Sequence, residues 1–70
     1  MTVFVIYKEE RKGGNCFIGP FSTFEKAHEV FLEEALLEEG EEYTEFDSDI
    51  KGGKYYDTEV SLEIFKKELQ

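Results

Sequence analysis

Residues 3 to 7 are apolar without interruption, with Val3, Val5 and Tyr7 on one face of an extended chain and Phe4 and Ile6 on the other. β-branched and aromatic side chains on both faces predict a strand from Val3 to Lys8 at the centre of a sheet. Gly13, Gly14 and Asn15 supply the positive φ values of a tight turn. The chain then returns from Cys16 to Phe21 as the second strand of a hairpin, with Pro20 limiting further pairing at its end.

After Phe21 the apolar period lengthens from two to that of a helix. Ser22 followed by Glu25 fits a capping box, in which each side chain satisfies a free backbone donor of the first turn. The spacing predicts a helix from Thr23 to Glu39 that stops at Gly40. Phe24, Ala27, Phe31 and Ala35 form its inner stripe, flanked by His28 and Leu32, with Glu25, Lys26, Glu29 and Glu33 on the far side. Val30 and Leu37 on one flank and Leu36 on the other widen the apolar arc beyond what one small sheet requires, which makes them a candidate dimer surface.

Strict alternation returns from Tyr43 to Ile50, with Thr44, Phe46, Ser48 and Ile50 on one face and Glu45, Asp47 and Asp49 on the other. That pattern predicts a third strand with an acidic outer row. Lys51, Gly52, Gly53 and Lys54 form a second turn. The chain from Tyr55 to about Phe65 reads as the fourth strand, placing Tyr56, Thr58, Val60, Leu62 and Ile64 inside, before a frayed or briefly helical tail. The expected fold is α+β in the order ββαββ, a single domain over residues 1–70. Two β-hairpins form one antiparallel or mixed sheet, with one helix packed on one face and the other face left partly apolar.

Composition narrows the class. Seventy residues lie near the lower limit for a self-sufficient core, because a chain of about 60 buries only ~60% of its unfolded surface. Seven Phe and four Tyr supply large buried areas and exclude a disordered acidic tail. A single cysteine forms no internal disulfide, and neither a secretory signal nor a long apolar run is present, so the expected location is cytoplasmic.

Charge is the most informative property. Between Glu25 and Asp49 there are eleven carboxylates and one base, Lys26, a formal −10 against −9 for the whole chain. Direct binding to nucleic acid or to an anionic membrane is disfavoured by that sign, and a basic protein partner is favoured. Glu25, Glu29 and Glu33 stack at i, i+4, where like charges repel by ~0.2–0.5 kcal/mol per pair. Glu38 and Glu39 are expected at the negative end of the helix dipole. The alternative is that these acids serve only to keep the surface solvated.

Catalytic signals are weak. Cys16 is expected to be a buried, inert thiol, and His28 a packed or half-exposed imidazole, so neither is assigned a catalytic role. Asp47, Asp49 and Gly52 match positions 1, 3 and 6 of a calcium loop, but Lys51 and Thr58 stand where ligands are required. No metal or cofactor is expected. The basic hairpin tips, Arg11 and Lys12 with Lys51 and Lys54, are too few on so anionic a chain to bind nucleic acid directly.

The stretch EEALLEEGEEYTEFDSD, Glu33 to Asp49, together with the small size and mixed α/β layout, resembles small acidic phage-encoded inhibitors, the anti-CRISPR and DNA-mimic class. That resemblance is one of physical character. It implies occupation of the nucleic-acid groove of a protein in the host bacterial cytoplasm, with some members acting as homodimers. The residues expected to meet such a partner are Glu29, Glu33, Glu34, Glu38, Glu39, Glu41, Glu42, Glu45, Asp47 and Asp49. The competing expectation is a non-catalytic homodimeric or accessory module.

Overall fold

In the computed structural model, which describes residues 1–38, 43 and 45–69, the elements follow the order ββαββ. They are β1 (Thr2–Glu10), β2 (Gly14–Phe21), α1 (Phe24–Ala35), β3 (Gly53–Tyr56) and β4 (Val60–Glu68). All neighbouring strands are antiparallel, in the spatial order β2-β1-β4-β3. The fold class is therefore the expected α+β arrangement, with β1 at the centre as its two apolar faces require. Pro20 lies on the edge strand β2, where no ladder bond is lost to a further neighbour.

The register separates the two faces. Phe4, Ile6 and Lys8 of β1 pair with Lys66, Ile64 and Leu62 of β4 on the helix side. Val3, Val5 and Tyr7 pair with Lys67, Phe65 and Glu63 on the opposite side. Phe31, Ile6 and Ala27 are fully enclosed, and Leu62 and Ile64 nearly so, forming the core between α1 and the two central strands. At the turn of the first hairpin, Gly14 has φ +91°, a conformation that favours glycine.

Four local expectations are corrected. The helix cap is Thr23, not Ser22: its side chain accepts from the Lys26 amide at 3.3 Å while its backbone stays extended. Glu25 then falls inside the first turn, where it complements the helix dipole without making a capping box. The helix also ends at Ala35, ahead of the expected run to Glu39. Leu36 turns left-handed, with its amide bonded to Glu33 O at 3.2 Å and the Leu37 amide to Leu32 O at 2.9 Å, the paired bonds of a Schellman motif. Glu39 and the expected stop at Gly40 lie outside the described residues.

The expected strand from Tyr43 to Ile50 does not form among its described residues. Asp47 makes one isolated bridge with Gly52, and its carboxylate accepts from the amides of Asp49 at 2.9 Å and Ile50 at 3.4 Å, closing a turn. A carboxylate that bonds its own backbone two residues on competes with a strand ladder, which the alternation did not weigh. Ile50 is exposed, Phe46 is half-buried, and Tyr43 is buried against Phe31 at 4.3 Å between ring centres.

Lastly, the expected continuous strand from Tyr55 is two strands. Asp57 Oδ1 accepts from the Thr58 amide at 2.6 Å and the Asp57 amide donates to Val60 O at 2.8 Å, so β3 and β4 make the second hairpin. Tyr56 and Thr58 are exposed, whereas Val60, Leu62 and Ile64 face inward as expected. The tail is strand as far as Glu68. Gly53 lets Tyr43, Glu45 and Phe46 lie across the start of β3: a Cβ there would run into the Tyr43 ring and stand 2.7 Å from Glu45 O.

Candidate functional site

Glu25, Glu29 and Glu33 are exposed along the outer face of α1 and advance about 6 Å per step. Among the described residues, none of the three takes part in an ion pair. Lys26 is the single base on that helix. The last helical turn contains no base, so the negative end of the dipole adds to the potential of the row instead of being offset.

Other expected acids are placed differently. Glu34 turns toward the sheet and pairs with Lys8 at 3.1 Å, and Lys8 also holds Glu10 at 3.3 Å. The hydrogen bond that the Lys8 ammonium donates to Glu34, followed by the one it donates to Glu10, raises its pKa above the ordinary 10.5. Glu34 is thereby committed to tying α1 to β1. Alternation alone places Lys8 on the same face as Phe4 and Ile6, beneath the helix, and that was the available signal for this pair.

Glu45, Asp47 and Asp49 do not form the expected second row, because their segment is a turn and not a strand. Glu45 and Asp47 instead line a groove of about 320 Å³ beside the β3 edge, with Ile50, Lys54, Glu63 and Phe65. Asp47 spends its carboxylate on the turn amides. Glu38 is exposed beyond the helix end, which removes it from the last helical turn. Glu39, Glu41 and Glu42 lie outside the described residues.

Of the expected dimer residues, Val30 and Leu37 are half-buried and packed against the core, while Leu36 is 90% exposed. The sheet face away from α1 carries the broader apolar surface. There the Tyr7 and Phe17 rings lie tilted at 47° with centres 5.0 Å apart, Phe17 meets Phe65 edge-on at 6.5 Å, and Asn15 donates to the Tyr7 hydroxyl at 2.7 Å.

Cys16 is exposed, contrary to the expectation of a buried thiol. It pairs with Lys8 on the helix side of the edge strand β2, two residues before Ile18, and is not among the side chains packed against the core. His28 is half-buried and its ring rests on Phe24, Tyr43 and Phe46 at 5.1, 5.7 and 6.0 Å. That environment is aromatic packing, and among the described residues it holds no acid or thiol partner of the kind a catalytic base uses. Among the described residues no cluster of His, Cys, Asp and Glu has the arrangement to hold a metal ion.

The hairpin tips meet through the Arg11 amide, which donates to Glu59 O at 3.0 Å. The open cleft between them, about 920 Å³, sets Lys8, Arg11 and Lys12 against Glu10, Glu34, Asp57 and Glu59. Acids outnumber bases there, so it is no cradle for phosphate. Among the described residues no helix is long and apolar enough to cross a membrane. The chain matches no known protein family, no curated protein and no solved structure.

Proposed function

We propose that this protein is a non-enzymatic binding domain that presents its acidic helix to a basic, nucleic-acid-binding surface of another protein and competes with nucleic acid there. The observation that carries this reading is the row Glu25, Glu29 and Glu33 on an exposed helix face, which makes no ion pair among the described residues. Glu25 is thus added to the expected contact residues. Glu34 and Asp47 are set aside, since the fold already uses their carboxylates. The row spans about 12 Å, far less densely charged than a duplex, so it acts as a local plug and not as a full mimic.

The partner class that fits is a nucleic-acid-handling protein, in keeping with the resemblance to phage-encoded inhibitors. Attraction between the row and a basic groove also speeds encounter, most strongly at low salt. The test is capture from a bacterial lysate on the immobilised full chain, repeated with heparin as competitor and with the triple variant Glu25→Lys, Glu29→Lys, Glu33→Lys. One retained nucleic-acid-handling protein, released by heparin and absent with the triple variant, is the expected result. Retention that survives both heparin and charge reversal would sink the reading.

A further inference from the structure

The two faces of the molecule are built differently. One helix covers one side of the sheet, and strand alternation therefore leaves Val5, Tyr7, Phe17, Tyr56 and Phe65 together on the other. Phe17 is 67% exposed and Tyr56 57%, a large aromatic surface for a chain of this size. We propose that this uncovered sheet face is a homodimer interface, on which a second copy of the chain packs sheet to sheet.

Charge selects the occupant. The strand residues on this face carry Glu9, Glu63, Lys54 and Lys67 and so sum to zero, on a chain whose total is −9. Away from the β3 edge, where Glu45 and Asp47 line the groove, it is the side by which two such anionic molecules approach with least repulsion. A basic partner gains nothing there that the acidic helix does not offer more strongly.

The charges are also arranged self-complementarily. Glu9 sits at one end of the face, paired with Ser61, and Lys67 sits at the other end on the neighbouring strand, paired with Val3. Glu63 and Lys54 face each other across β4 and β3 near the middle. A two-fold axis lying between the sheets and perpendicular to the strands exchanges the strand ends, bringing Glu9 of each copy toward Lys67 of the other. Tyr7 and Phe65 of the two central strands then meet toward the middle of the interface beside Glu63, with Phe17 and Tyr56 on the flanking edge strands, and the pairs of Glu9 with Lys67 lie at its two ends.

Size permits it. The molecule measures 34 × 27 × 16 Å. The uncovered face, four strands about 4.8 Å apart with the longest nine residues at about 3.3 Å each, is on the order of 500 Å² in projection, a small interface suited to a weak, reversible dimer against roughly 800 Å² per partner in a standard one. A two-layer domain of 70 residues would become the outer half of a four-layer dimer, with the sheets about 10 Å apart.

Sedimentation equilibrium of the purified full chain, from micromolar to millimolar concentration at physiological salt, tests this directly. The expected result is a reversible dimer that Phe17→Ser weakens by about tenfold or more, since both copies lose a buried ring. Glu9→Lys and Lys67→Glu should each weaken it about threefold, and the two changes together should restore it. A chain that stays monomeric at millimolar concentration overturns the proposal, as does a dimer indifferent to Phe17→Ser. Because no other protein is present, failure here leaves the binding role of the acidic helix to its own test.

Discussion

Leu36 shows how a single residue can hold an element boundary at a cost. It adopts φ 59° and ψ 34°, the left-handed region, and its side chain is 90% exposed, so the strain is not offset by burial. An L-residue in that conformation costs about 1–2 kcal/mol relative to right-handed backbone, and glycine avoids the penalty while giving back part of it as chain entropy. Leu36→Gly should therefore stabilise the domain by about 1 kcal/mol, which for this size is a rise in Tm of roughly 4–8 °C. Thermal unfolding followed by circular dichroism measures it. A Tm that falls would mean that the Leu36 side chain makes a stabilising contact the exposure does not show.

At the scale of elements, the strength of the pattern decided what could be read. β1 was legible because five consecutive apolar residues on both faces admit one environment, and the paired glycines after it admit one turn. Residues 43–50 alternate equally well, yet the carboxylate of Asp47 closes a turn there, and Asp57 divides the last segment by the same local chemistry. Periodicity reports which face a residue would take, not whether a side chain has already claimed its neighbour's amide. The helix row was legible because i, i+4 spacing survives a shift in the helix ends, whereas the supposed second row vanished with its strand. The N-cap was misplaced by one residue because Ser22 and Thr23 are both competent. Thr23→Ala should cost about 1 kcal/mol and Ser22→Ala only a few tenths, read from urea midpoints. Equal losses would return the cap to Ser22.

For the molecule as a whole, the consequence of a −9 charge depends on how far each acid is felt. The screening length is ~30 Å at 0.01 M salt and ~3 Å at 1 M. At the lower value it matches the 34 Å length of the chain, so that every carboxylate opposes every other in the folded state. Folding brings these charges together, and low salt should therefore destabilise the domain. Urea, being uncharged, leaves ionic strength free to vary: the unfolding midpoint should rise steadily with added sodium chloride. The triple variant Glu25→Gln, Glu29→Gln, Glu33→Gln should flatten that slope by removing two repulsive pairs of ~0.2–0.5 kcal/mol each and the longer-range terms with them. These titrations belong at low protein concentration, where a dimer does not contribute to stability. A midpoint that falls with salt would mean that attractive pairs such as Lys8 with Glu34 outweigh the repulsion. The proposed retention of a basic partner should have the opposite dependence, weakening as salt rises, so that a loss of binding at moderate salt would come from screening of the interface and not from unfolding.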